Sequence, residues 1–111
     1  MKRALGYNGF PRGVKDSEER YANRELKYRL VMHAEMNTIL NANKTRGCRM
    51  YVYPTLMMPA ACPECAKAIV QSGITELVYY HKENVEDRWQ VMADATKILL
   101  EEGGVKTRVI R

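Results

Sequence analysis

The chain has 111 residues, 46% of them hydrophobic, which is enough for one core and too little for two, so a single domain over residues 1–111 is expected. No run approaches the roughly 18 apolar residues of a membrane span, and the N-terminus lacks the long apolar stretch of a secretory signal, so the expectation is a soluble, cytoplasmic protein without a membrane partner. A net charge of +5, from 18 Lys and Arg against 13 Asp and Glu, favours phosphate-bearing partners from nucleotides to nucleic acid, although the basic residues are scattered rather than gathered in one block.

In chain order, the first few residues can form a short strand. LGYNGFPRG (residues 5–13) then combines three glycines, an Asn-Gly step and a proline, which predicts a shaped loop. VKDSEERYANRELKYR (residues 14–29) reads as a surface loop leading into helical structure. Met36, Ile39, Leu40 and Asn43 follow helical spacing, so a helix should run from about His33 to Asn43, with Gly47 beyond its end. RMYVYP (residues 49–54) is rich in β-favouring residues and reads as a strand stopped by Pro54.

A loop with two methionines and Pro59 follows. PECAKAIVQSG then offers Ala66, Ile69 and Val70 as a buried stripe with Gly73 as a C-terminal cap, a second helix. ELVYY (residues 76–80) is a strand. From Val85 to Glu101, the positions Val85, Trp89, Met92, Thr96 and Leu99 step as a long amphipathic helix closed by Gly103 and Gly104, and VKTRVI forms a last strand. Helices alternating with short apolar strands predict an α/β sandwich with at least partly parallel strands.

The chemistry centres on two short stretches, MHAEMN (residues 32–37) and CPEC (residues 62–65). Helical residues turn by about 100° each, so His33 and Glu35 in mid-helix would point about 200° apart. They converge only at a helix start, with His33 on the entry turn and Glu35 in the first turn. Cys62 and Cys65, three apart at the start of the next helix, share a face and can grip one ion. Cys48 reads as a bystander among the three cysteines.

One His and two Cys make three ligands. Structural zinc sites close with four protein ligands, whereas catalytic ones keep a position open for water, so three ligands beside a non-ligand carboxylate point to metal-assisted hydrolysis. Blander alternatives stand beside this one. His33 can be a core histidine, CPEC a redox pair, and the ion a structural zinc closed by Glu35 or another side chain.

HAEMNTIL together with CPECAKAIVQSGITELVYY resembles the cytidine deaminase superfamily, and most closely its deoxycytidylate (dCMP) deaminase branch. The pair also matches H-x-E followed by C-x-x-C in the signature of zinc nucleobase deaminases. The resemblance runs from about Gly6 to Val109. It implies Zn2+ held by His33, Cys62 and Cys65, with Glu35 as the proton-transferring catalytic residue. It also implies a sugar contact from Asn8 in the GYNG loop and a hold on the 5′ side of the nucleotide from Asn37.

The fold it implies is a three-layer α/β/α sandwich with a mixed sheet. Two departures bear on that. Pro59-Ala60-Ala61 precedes Cys62, where relatives place proline directly before the first cysteine. The helix and first strand that normally precede the loop are expected to be lacking, because Met1 stands almost at the loop; the resulting sheet edge leads to an expectation of homo-oligomerisation.

The activity implied is zinc-dependent hydrolytic deamination of a small-molecule cytosine nucleotide, dCMP to dUMP plus ammonia. The alternatives are deamination of another free base or of a base in nucleic acid, and a non-catalytic zinc-binding remnant. Nucleic acid ranks below nucleotide because basic and aromatic residues do not alternate as a stacking groove would require.

Overall fold

The computed structural model describes residues 4–52, 62–80 and 90–110. It divides into two compact units, Met1–Ala42 and Asn43–Arg111. The element order is α1 (Glu18–Ala22), α2 (Arg24–Leu30), α3 (Ala34–Asn41), β1 (Arg49–Val52), α4 (Pro63–Gln71), β2 (Glu76–Tyr80), α5 (Gln90–Glu102) and β3 (Lys106–Ile110).

In the first unit, the stretch expected to be a surface loop leading into a helix contains two short helices, and their caps explain the difference. Ser17 precedes α1 with extended backbone, and its Oγ accepts the Arg20 N–H at 3.3 Å. Asn23 ends α1 and begins α2, its Oδ1 accepting the Leu26 N–H at 3.2 Å. Both are favoured N-cap residue types, and Glu18, Glu19 and Glu25 place negative charge in the first turns, where the helix dipole stabilises it. Neither helix has a buried residue, so end chemistry rather than an apolar face sets them. Phe10 stacks on Tyr21 with ring centroids 4.7 Å apart, fastening the glycine-rich loop to α1.

The second unit is α/β, as expected. Its strands run in the order β1-β2-β3 and both ladders are parallel, with Met50 opposite Leu77 and Leu77 opposite Thr107. Met50 and Val52 of β1, Leu77 and Val78 of β2, and Ala66 and Ile69 of α4 are buried. Glu76 sits between two guanidinium groups, Arg49 Nε at 3.3 Å and Arg108 Nε at 3.4 Å. Arg49 also donates to the Tyr51 hydroxyl at 3.2 Å, and that bond holds the phenol below its ordinary pKa.

The α5 stripe keeps Thr96 from the expected one but continues through Leu100 in place of Leu99. Thr96 and Leu100 are buried while Leu99 is half-buried and Met92 is 41% exposed. Steps of four and three average 3.5 residues per turn, whereas a straight helix has 3.6, so the buried line drifts by about 20° per heptad and passes from Leu99 to Leu100. Val85 and Trp89 lie outside the described residues, as do Pro54 and the first three positions, where a strand is expected.

Both long helices end in the same way. After α4, the Ile74 N–H donates to the Ile69 carbonyl and the Gly73 N–H to the Val70 carbonyl; after α5, the Val105 N–H donates to Leu100 and the Gly104 N–H to Glu101. This is the Schellman arrangement, and it needs a left-handed residue, which Gly73 (φ 81°) and Gly104 (φ 75°) supply. The next residue, Ile74 or Val105, turns into the core just ahead of the following strand. Replacing Gly104 by Ala should cost about 1–2 kcal/mol from the left-handed backbone alone. Gly73→Ala should cost more, because its Cβ would also stand 3.1 Å from the Arg46 Cα. Urea unfolding midpoints of the two variants check that order.

Candidate active site

The candidate residues stand at two helix beginnings. His33 is the N-cap of α3 with φ −70° and ψ 150°, so it stands just before the helical turn, and Glu35 is the second helical residue. Because His33 is not on the helix, the rule that would aim it about 200° from Glu35 does not apply. His33 is exposed, whereas Glu35 is only 6% exposed.

Residues of the GYNG loop fix this first turn. Asn8 Oδ1 accepts the Ala34 N–H at 2.7 Å, and Asn37 Nδ2 donates to the Tyr7 carbonyl at 3.1 Å. Only an oxygen can receive the Ala34 N–H, so the orientation of the Asn8 amide is settled and its Nδ2 is left as a donor. Asn37 Oδ1 accepts from Asn41 Nδ2 at 3.1 Å.

At α4 the pattern recurs. Cys62 is the N-cap with φ −72° and ψ 160°, and Pro63 opens the helix, where its missing N–H costs nothing. Cys65 is 2% exposed. Helix N-termini favour thiolate over thiol, since their unpaired N–H groups and dipole stabilise negative charge.

The ligand atoms of His33, Cys62 and Cys65 lie within 4.8 Å of one another. Around a tetrahedral ion with bonds of about 2.0–2.3 Å, such atoms are about 3.5–3.8 Å apart, so the spacing suits one shared ion. Two thiolates and an imidazole are a donor set that fits zinc. Cys48 is not in this group, and its thiol lies 3.5 Å from the Lys44 carbonyl. His81 and the segment Pro59-Ala60-Ala61 lie outside the described residues.

The sequence model of the cytidine and deoxycytidylate deaminase zinc-binding region matches residues 2–81, a stretch containing His33, Glu35, Cys62 and Cys65. The chain belongs to this deaminase family. The deoxycytidylate deaminases of Pongo abelii and Homo sapiens are each 39% identical to it over 113 residues, covering 94% of this chain and 58% of the relative. It thus spans a little over half the length of those curated relatives. The crystal structure of dCMP deaminase from the cyanophage S-TIM5 in complex with dCMP and dUMP superposes with a TM-score of 0.60 at 22% identity. That match covers 95% of this chain and 70% of the phage chain, and shows the deaminase α/β fold.

Sequence reasoning missed Gly6 and Thr38. Thr38 Oγ1 donates back to the Ala34 carbonyl at 2.8 Å, and a Cβ on Gly6 would stand 2.6 Å from the Thr38 nitrogen. The glycine content of the loop was the only signal pointing there. No described helix is long and apolar enough to cross a membrane. Elemental analysis of purified protein should find close to one zinc per chain, retained in Cys48→Ser and lost in Cys65→Ser.

Proposed function

We propose that this chain catalyses hydrolytic deamination of a cytosine nucleotide, with dCMP as substrate and dUMP and ammonia as products. The observation that carries this reading is the His33, Cys62 and Cys65 grouping, with a buried carboxylate two residues from the histidine. The deoxycytidylate deaminases among its relatives support the choice of dCMP.

In this reading His33, Cys62 and Cys65 hold zinc, which when bound acts as a Lewis acid and makes water a competent nucleophile near neutral pH. Glu35 moves the protons. It takes one from the attacking water and passes it to N3 of the ring as the C4–O bond forms. It then takes the second from the hydroxyl on C4 and passes it to the amine as the C4–N bond breaks. The water oxygen becomes the carbonyl of uracil, and the amino group leaves as ammonia. Burial keeps the carboxylate exchanging protons with the bound base rather than with bulk solvent.

Asn8 faces the sugar in this scheme. Its oxygen is engaged with Ala34, so it offers the ligand an N–H, which suits a hydroxyl oxygen. Asn37 borders the 5′ side through the second N–H of its amide. Self-association belongs to the same proposal, supported by the edges of β1 and β3, which no further described strand covers.

Zinc-loaded protein given dCMP should show the ultraviolet change of deamination, and should act more slowly on deoxycytidine and on a cytosine-containing oligonucleotide. Preference for the oligonucleotide would replace the nucleotide by nucleic acid as substrate. Glu35→Gln should lower turnover by about 10²–10⁴-fold while zinc content and unfolding midpoint hold. No turnover by zinc-loaded wild type would leave the non-catalytic zinc module standing instead. Light scattering at micromolar concentration should give a mass above that of one 12.8 kDa chain.

A further inference from the structure

The first turn of α3 is not capped by its own N-cap residue. His33 gives the helix no side-chain cap hydrogen bond. An N-cap side chain ordinarily serves the N–H of the second or third helical residue, so the Ala34 N–H, at the first position, needs a partner from elsewhere. It finds one 26 positions earlier, in Asn8 Oδ1 at 2.7 Å.

The loop can come this close only because residue 6 has no side chain. A Cβ on Gly6 would overlap Thr38 Oγ1 and stand 2.6 Å from the Thr38 nitrogen and 2.7 Å from the Ala34 carbonyl oxygen. Two more fastenings flank the contact. Asn37 Nδ2 donates to the Tyr7 carbonyl, and Gly9 and Met32 exchange backbone hydrogen bonds at 3.2 and 2.7 Å. The segment Gly6–Gly9 is therefore seated on residues 32–38 along its whole length.

We propose that Asn8 is a positioning residue: by holding the Ala34 N–H, its side-chain oxygen fixes the turn from which His33 and Glu35 leave the backbone. The loop thereby sets how firmly zinc is retained. This role uses the oxygen end of the amide and is separate from any contact made by its nitrogen. It rests on the zinc reading above for its consequence, though not for the cap itself.

Asn8→Ala removes the cap, and Asn8→Asp keeps an acceptor oxygen in place while abolishing the amide donor. In Asn8→Ala, the Ala34 amide should exchange its hydrogen about two- to thirty-fold faster, the range that cap loss implies. Zinc should pass to a competing chelator faster by a similar factor. Asn8→Asp should restore both, and Gly6→Ala should mimic Asn8→Ala although Asn8 is intact. Unchanged exchange and unchanged zinc release in Asn8→Ala would overturn the proposal. So would an Asn8→Asp protein as impaired as Asn8→Ala, because the oxygen would then not be the operative atom.

If Asn8→Ala does not fold, a folded Asn8→Asp with a protected Ala34 amide still supports the cap, and one with an unprotected amide sinks it. Both readouts are taken without substrate, so an inactive chain tests the cap equally well. A wild-type chain that binds no zinc defeats the functional reading, while Ala34 exchange still decides this one.

Discussion

The structure depends above all on His33 and Cys62 standing at N-cap positions rather than inside their helices. Their backbone angles nearly coincide, φ −70° and ψ 150° against φ −72° and ψ 160°. An N-cap residue is extended, so its side chain is released from the 100° stepping that would separate His33 from Glu35. Within its first turn each helix contributes a second functional group, Glu35 from α3 and Cys65 from α4. The polar ends of the helices thus stabilise anions where the proposed chemistry requires thiolates and a carboxylate.

Keeping α4 in place falls to the other end of the helix. Its Schellman turn forces Gly73 into the left-handed region and drives Ile74 into the core, and α5 repeats the device with Gly104 and Val105. Each helix is therefore tied to the strand that follows it, and parallel pairing of β1, β2 and β3 joins the strands. A change that loosened either turn would act on the sheet first.

Much of this could be read from residue patterns. β2 runs over Glu76–Tyr80, where ELVYY reads as a strand, and Gly73 marks the end of α4 because few other residues accept that backbone. His33, Cys62 and Cys65 stand out because imidazole and thiol are scarce in a chain with two histidines and three cysteines, and Glu35 stands out among 13 Asp and Glu by its place two residues after His33. The helices α1 and α2 were hidden because neither buries a face, and periodicity reports only buried faces. Their signals were instead Ser17 and Asn23, cap residues whose types also occur in loops. The last step of the α5 stripe was misjudged because a repeat of 3.5 and one of 3.6 differ little over any short stretch. The seat of the GYNG loop on α3 depends on contacts between residues far apart in the chain, which local spacing cannot register.

Energetically the two units differ. Among the described residues, every buried hydrophobic one lies beyond Ala42, whereas before Asn43 the one buried residue is Glu35. Taking a carboxylate out of water costs several kcal/mol, a cost that only polar partners offset. In residues 4–42, cap hydrogen bonds, the paired Gly9–Met32 backbone and the close approach of Gly6 replace a core. These contacts are directional where apolar burial is not, so they specify the orientation of a single side chain better than they stabilise a fold. A segment organised in that way around a buried acid suits a site in which the direction of one carboxylate decides whether a proton can be passed.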